Sequence, residues 1–410
     1  MAFHIIDEAK RCLGCKKPLC INGCPIKTNI PEMIRLLLEG QIDKAGEMLF
    51  SNNPLSLVCS YVCNHENQCE GHCVLAGTGK AIHVSTIENY ISDYFFNFEL
   101  PKYEGEKRGK AAIIGAGPAG LTISILLARR GFDITIFEAR DRIGGVLRYG
   151  IPEFRLPKSA LDRYKRKLTD MGIKIRPNTI IGQGGLVIDD LFRDGYKAIF
   201  IGTGIWKPKS LGIRGESLGH VHFAINYLKN PDVYDLGNEL IVIGAGNAAM
   251  DVARTAVRKG VRKVTVFFVM GEEQLTASRT EVSYAMIEGV NFEYFKMPAE
   301  ITDEGVIFCE TRLCDGGYEG IDGTGRLYKS DSVIVSISQG PRSYIVSTTK
   351  GIDTGKSGLL VTDENGETSR EGIFASGDVV LGAKTVVEAV SDSKKVADVM
   401  EEYILRAQEQ

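Results

Sequence analysis

Lys110-Ala-Ala-Ile-Ile-Gly115-Ala-Gly117-Pro-Ala-Gly120 is a short apolar run that breaks on three glycines spaced GxGxxG. The run reads as a buried strand, and the residues after Gly120 read as a helix to about Arg130 before Gly131, so the glycines mark a strand-to-helix turn. A second strand is expected over Asp133 to Phe137, with Glu138 at its end, 18 residues beyond Gly120. Glycines let the backbone come close to a pyrophosphate whose charge meets the helix N-terminus, and an acid at the second strand's end accepts a hydrogen bond from an adenosine ribose. Gly115, Ala116, Gly117, Pro118, Ala119, Gly120 and Glu138 therefore read as a dinucleotide site. Residues 111–128 carry no charge over eighteen positions, close to the length of a membrane span. Gly115, Gly117, Pro118 and Gly120 interrupt that run where the strand should turn, so a buried βα unit explains it better and no membrane is expected.

A second copy follows. Glu239 to Ile243 reads as a strand, Gly244-Ala-Gly246-Asn247-Ala248-Ala249 as the glycine turn, the stretch to about Lys259 as a helix, and Val264 to Phe268 as the next strand. Ala249 stands where the third glycine would be, a replacement the fingerprint allows. Two such sites in one chain suggest one for a flavin and one for a nicotinamide, with hydride passing between them where the rings meet. Alternating strand and helix signals in this half of the chain belong to open parallel sheets covered on both faces.

Eight of the ten cysteines fall in the first 73 residues, as Cys12-x2-Cys15-x4-Cys20-x3-Cys24-Pro25 and Cys59-x3-Cys63-x5-Cys69-x3-Cys73. Thiolates so crowded on loops and helix ends converge on soft metal, and the closing Cys-Pro resembles two-cluster ferredoxins, in which that cysteine crosses to the other cluster. Residues 1–11 carry no charged-then-apolar leader pattern, so a reducing, cytoplasmic compartment is expected and disulfides are not. Two zinc sites of four thiolates each also fit the spacing. Redox cofactors next door give iron a purpose that zinc would lack. His65 and His72 lie among these cysteines and read as solvated or hydrogen-bonded loop residues. Cys309 and Cys314 read as ordinary buried thiols, since an odd separation along a strand puts them on opposite faces.

A chain of 410 residues holds about three domains. Hydrophobic content of 44% and charged content of 25% are those of a soluble globular protein. A net charge of -3, with no basic stretch interleaved with aromatics, gives no footing for nucleic acid. Asn29, Ile30 and Pro31 look like a helix start, with helical spacing to Phe50 interrupted at Gly40, and Pro101 to Gly109 reads as a charged linker.

Cys12 to Cys73, Gly144-Gly-Val-Leu-Arg-Tyr-Gly-Ile-Pro-Glu-Phe-Arg-Leu-Pro157 and Gly372-Ile-Phe-Ala-Ser-Gly-Asp378 together resemble the small subunit of bacterial glutamate synthase and its relatives. Those relatives include the cysteine-rich and flavin-binding part of dihydropyrimidine dehydrogenase, the electron-input subunit of its bacterial NAD-dependent form, and the large subunit of bifurcating transhydrogenases. The resemblance runs over nearly the whole chain. It implies that Cys12, Cys15, Cys20 and Cys73 hold one 4Fe-4S cluster and that Cys24, Cys63 and Cys69 hold another. The family's fourth ligand there is a downstream glutamine or glutamate, here Glu88, which leaves Cys59 a spare thiol. A reading with Glu88 solvated and Cys59 as the ligand stays open.

The same resemblance implies an FAD pyrophosphate over Gly115 to Gly120, its ribose on Glu138, and further contacts at Gly145, Val146 and Arg155. It puts Asp378, after Gly377, at the far end of the FAD, with Thr385 following at the next helix start; a carboxylate at Asp378 also suits a cap on a helix beginning near Ala383. Ile199-Phe-Ile-Gly202-Thr-Gly204 looks like the crossover into an inserted nicotinamide domain, from which the chain returns near Gln339-Gly340-Pro341. The implied organisation is a cluster domain over 1–105, an FAD domain over 106–220 and 340–410, and an NAD(P)H domain over 221–339. This is an α/β fold of two Rossmann-like dinucleotide-binding domains preceded by a mainly α-helical iron-sulfur domain.

Relatives that use NADPH carry two adjacent basic residues after the second strand of the inserted domain. This chain has Val269 and Met270 there, followed by Gly271, Glu272 and Glu273. A 2'-phosphate finds no cation, and Glu272 suits a free ribose diol, so NADH is expected over NADPH, with Arg279 a nearby residue able to rescue NADPH. No length is left for a further substrate domain, so a partner subunit, itself flavin-bearing, is expected to accept the electrons. The leading expectation is the electron-input subunit of an NAD-dependent dihydropyrimidine dehydrogenase. The alternatives are a glutamate synthase small subunit or a subunit of an electron-bifurcating NAD(P)H:ferredoxin oxidoreductase, and, from another class, a zinc-stabilised nucleotide-sensing scaffold.

Overall fold

In the computed structural model, which describes residues 4–100, 102–315 and 317–407, local signals set each element of the cysteine-rich region. The Asn29 side chain accepts the Glu32 amide, with Pro31 in the first turn of the helix Ile30–Leu38, a polar cap followed by a residue that needs no donor. Gly40 takes φ +73°, and the helix resumes only as Ile42–Asn52. The expected interruption is thus a full break between two helices. Ser56–Val62 and Val84–Phe95 complete the bundle, whose core includes Met33, Leu37, Leu49, Ile87 and Ile91.

Lys110–Ile114 is the central strand of a parallel five-stranded sheet, ordered Ile373–Ala375, Ala198–Ile201, Lys110–Ile114, Asp133–Phe137, Lys174–Arg176. Ile113 pairs with Ile136 on one side and Phe200 on the other. All four of its central residues from Ala111 on are buried, as expected when helices cover both faces. A second parallel sheet repeats the plan in the order Val221–Phe223, Ser332–Val335, Glu239–Ile243, Lys263–Phe267, Asn291–Glu293. Next in sequence comes an antiparallel set, Lys296–Thr302, Gly305–Cys314, Gly317–Gly320 and Arg326–Lys329. Cys309 and Cys314 both lie on Gly305–Cys314, but neither is buried: the outer end of that strand alternates toward solvent, and the Cys314 thiol donates to Glu319 at 3.4 Å.

The chain packs as two compact units. One holds Met1–Arg148, Glu153–Ile205 and Gly340–Gln410; the other holds Tyr149–Pro152 and Trp206–Gln339. Residues 206–220 thus pack with the second sheet. Among the described residues, no helix is long and apolar enough to cross a membrane.

Within the first unit the cysteine-rich helices are tied to the first sheet's helices. Arg129 meets Glu47 at 2.5 Å and Lys394 donates to Asn52 at 2.8 Å, but partly exposed links of this kind contribute little each. Tyr164 is different. Its ring is buried against Phe96, and its hydroxyl, shielded from solvent, donates to the Pro54 carbonyl at 3.0 Å. Tyr164→Phe strands that carbonyl and is expected to lower the stability of the first unit by about 1–3 kcal/mol, read as an earlier midpoint in denaturant unfolding; a midpoint equal to that of the unaltered protein would refute the role.

Candidate functional site

Two cavities in the helical region sort the cysteines. Cys12, Cys15, Cys20 and Cys73 line one, and Cys24, Cys63, Cys69 and Glu88 line the other. These are the two sets drawn from the family resemblance. Cys59, read as spare, is not remote: it is 1% exposed and lines the second cavity beside Cys63. Among the described residues no three His, Cys, Asp or Glu side chains stand close enough together to hold a single ion.

The electrostatics of both cavities suit a cationic occupant. Burial, with Cys12 and Cys73 nearby, pushes the Cys20 thiol up to about 11. A hydrogen bond with Cys59, together with burial, raises Cys63, and burial next to Glu88 raises Cys69. Burial, with Glu70 adding, pushes Glu88 up to about 8. Soft donors that resist ionisation for want of a positive partner are what an iron-sulfur core satisfies. The donor set fits the group.

His65, set aside on sequence, also lines the second cavity, and its Nε2 is buried without a hydrogen-bond partner. Its carbonyl accepts the amides of Gln68, Glu70 and Gly71, so the loop wraps around it. His72 stays outside, exposed, with Nδ1 2.7 Å from the Gln68 carbonyl.

The first glycine turn forms as expected. Gly115 has φ +101°, and a Cβ there would sit 2.6 Å from the Gly202 carbonyl oxygen; one on Gly120 would sit 1.9 Å from that of Gly115. Gly117, by contrast, faces open space, its nearest neighbour being Gly145 at 4.0 Å. The helix Pro118–Arg129 has no side-chain cap. Uncapped amides beside an open glycine form a cradle for a phosphate group. Glu138 is 5% exposed; it accepts the amides of Ala116 at 2.7 Å and Arg140 at 2.9 Å, while burial raises its carboxyl. The acid therefore already reaches across to the glycine turn.

The two later motifs meet this turn. Gly144 donates its amide to the Ala116 carbonyl at 2.8 Å, and Gly145, at φ +53°, packs so close that a Cβ would lie 2.8 Å from the Gly117 Cα. Val146 begins the short helix Val146–Tyr149, and Arg155 is half-buried shortly after. Gly377 packs on Ala119, its hypothetical Cβ 3.2 Å away, which sets Asp378 beside the first turn of the fingerprint helix. The cap on the next helix, Val386–Arg406, belongs to Thr385 with Glu388, so Asp378 is left with one weak backbone partner, the Lys384 amide at 3.3 Å.

In the second unit, Gly244 has φ +147°, and a Cβ there would meet the Ser336 carbonyl oxygen at 2.2 Å. Gly246 again has only ordinary contacts, and the helix Asn247–Arg258, with Asn247 and Ala248 in its first turn, lacks a side-chain cap. A strap that sequence reading missed crosses this turn: Ala277 donates to the Ala245 carbonyl at 3.0 Å, and the Ser278 amide to the Asn247 side chain at 2.9 Å. The residue in the place of Glu138 is Phe268, whose amide bonds the third strand at Glu293 as that of Glu138 bonds Arg176. Glu272 lies four residues further on, exposed in a single 3-10 turn.

Comparison with known proteins agrees with this architecture. Residues 2–100 match the family described as dihydropyrimidine dehydrogenase domain II, 4Fe-4S cluster, and residues 109–393 match pyridine nucleotide-disulphide oxidoreductase. The chain is 33% identical to the glutamate synthase [NADPH] small chain of Escherichia coli K12, over 95% of this chain and 89% of that protein. It is 32% identical to the NAD-dependent dihydropyrimidine dehydrogenase subunit PreT of Salmonella typhimurium LT2, over 98% and 95%. Among solved structures, Mycobacterium tuberculosis FprA in complex with NADPH shares the fold with a TM-score of 0.64 at 16% identity, over 73% of this chain and 85% of that one.

Burial pushes the Asp378 carboxyl up to about 6 from an ordinary 3.8. The folded state thus holds that proton more tightly than the unfolded chain, so flavin-free protein loses stability as pH rises through this window, by roughly 3 kcal/mol at most. Asp378→Asn is expected to melt above the unaltered apoprotein at about pH 8 and level with it near pH 4, by thermal unfolding at each pH. A difference that does not change with pH would refute this account of Asp378.

Proposed function

The chain belongs to the family of glutamate synthase small chains and NAD-dependent dihydropyrimidine dehydrogenase subunits, iron-sulfur flavoprotein oxidoreductases that use NAD(P)H, and we propose that it takes electrons from NADH and passes them to a partner subunit that carries its own flavin. One observation carries the reading. Val387, two residues beyond Thr385 in the first turn of the helix Val386–Arg406, lines the second thiol cavity, so the helix start read as the flavin's far end reaches that cavity.

When bound, FAD accepts hydride from NADH, and 4Fe-4S clusters carry electrons singly. The residues of this chain hold and orient those groups. In this reading Gly115 to Gly120 cradle the FAD pyrophosphate, Glu138 takes its ribose, Gly145, Val146 and Arg155 line its course, and Asp378 and Thr385 meet its far end. Cys24, Cys63, Cys69 and Glu88 hold the cluster next to the flavin, because their cavity adjoins Val387. Cys12, Cys15, Cys20 and Cys73 hold the outlying one. The inserted domain, which the fold extends to Trp206–Gln339, presents NADH on Gly244, Gly246, Asn247 and Ala248.

Coenzyme choice follows from charge. Phe268, Val269 and Met270 offer no cation to a 2'-phosphate, and Glu272 and Glu273 are exposed carboxylates beside them. This favours the NAD-dependent dihydropyrimidine dehydrogenase type over the NADPH-linked glutamate synthase type, in a reducing cytoplasm.

Anaerobically purified protein is expected to contain iron, acid-labile sulfide and FAD, and its visible absorbance should bleach with NADH at lower concentration than with NADPH. Zinc in place of iron, or bleaching by NADPH alone, would overturn the reading. Val269→Arg with Met270→Arg is expected to shift kcat/KM toward NADPH by roughly tenfold or more, about 1.4 kcal/mol. Glu88→Ala is expected to lose half of the iron and one of two electron paramagnetic resonance signals, whereas Cys59→Ser keeps both; the reverse pattern would make Cys59 the ligand.

A further inference from the structure

The cavity of Cys12, Cys15, Cys20 and Cys73 lies directly under apolar side chains that face water. Leu13, Leu19 and Val74 line it, yet are 64%, 50% and 46% exposed. Each is the chain neighbour of a thiol in the set. Scattered surface leucines need no explanation, but a contiguous apolar cap over one cavity marks an interaction site. The cap's rim is basic. Lys16 and Lys17, on the loop between Cys15 and Cys20, are exposed, and so is Lys80, whose carbonyl accepts Arg11 next to Cys12. Nearby acids are already engaged. Asp7 lies 3.7 Å from Lys10, Glu8 is buried on Arg11, Glu32 pairs with Arg35, and Glu70 accepts both the amide and the hydroxyl of Ser85. In a chain of net charge -3, this positive rim is a local feature.

We infer that the face formed by Leu13, Leu19 and Val74 with Lys16, Lys17 and Lys80 docks a one-electron-accepting protein whose redox group lies under an apolar contact ringed by carboxylates. The inference rests on the proposed function, since it takes the Cys12 set to hold the outlying cluster. A centre that hands electrons to another protein needs a thin, dry cover, which the three apolar side chains supply. Opposite charges around the cover steer the encounter and fix its orientation. The exchange balances: NADH and two oxidised acceptors give NAD+, one proton and two singly reduced acceptors.

The test uses the full-length holoprotein with three acceptors: ferricytochrome b5, whose haem edge is ringed by carboxylates; ferricytochrome c, ringed by lysines; and menadione, which is uncharged. NADH-driven reduction of cytochrome b5 is expected to slow as salt rises, and to fall roughly tenfold at low salt in Lys16→Glu/Lys17→Glu. Lys80→Glu, outside the thiol loops, should lower it in the same direction. Menadione reduction and iron content should not change, and cytochrome c should become the better protein acceptor. Cytochrome b5 reduction that is as fast and as salt-dependent in the double variant as in the unaltered protein would overturn the docking face. A protein that holds no iron, or whose flavin NADH does not bleach, would instead count against the proposed function.

Discussion

Packing of the helix Val386–Arg406 along Pro118–Arg129 holds the first unit's chemistry in place. Its inner face buries Val390, Ala397, Met400 and Ile404 at helical spacing, and apolar burial at about 25 cal/mol per Å² is the dominant attraction. Arg130 reaches Asp398 at 2.6 Å and Glu401 at 3.0 Å, and Arg108 reaches Glu401 at 2.7 Å. Those pairs orient the helix more than they stabilise it. Because the helix follows Gly377-Asp378 and its second residue lies in the wall of a thiol cavity, its placement fixes the neighbourhood of the Asp378 carboxylate and that wall at once.

The two glycine turns show one backbone solution used twice. In each, the first glycine passes under the end of a neighbouring strand, the second has only ordinary or looser contacts, and the helix that follows starts uncapped. They diverge one strand later. Glu138 turns inward to the amide of Ala116, whereas its counterpart Phe268 is buried hydrocarbon and the nearest acids lie on an exposed turn. A position that holds a buried carboxylate on the glycine turn in one half is filled by packed hydrocarbon in the other, so the second half's first acids after that strand lie on the loop beyond Phe268.

What was legible in sequence was local. Strand, glycine turn and helix at Lys110 to Arg129 are all encoded by neighbours, as are the Asn29 cap and the break at Gly40. The pairing of thiols into two cavities came from family resemblance, since spacing alone left zinc and other ligand choices open. What stayed hidden depends on contacts far apart in the chain. The strap from Ala277 and Ser278 to Ala245 and Asn247 spans some thirty residues and donates from two backbone amides, which no residue type announces. His65 and Cys59 reach the second cavity because the helices around them pack, and the Cys314 thiol is left half-exposed because its hairpin extends outward from a core that local pattern does not delimit.

The first sheet is split by the inserted segment, with consequences for biosynthesis. Its edge strand Ile373–Ala375 and the helix Val386–Arg406 are translated after every strand of the second sheet. Domains form as units during synthesis, so the nicotinamide half can be finished while the earlier sheet still lacks an edge and the thiol cavity beside Val387 still lacks a wall. The edge of the first sheet and the wall of the second thiol cavity are therefore closed last, on a chain that has otherwise already emerged.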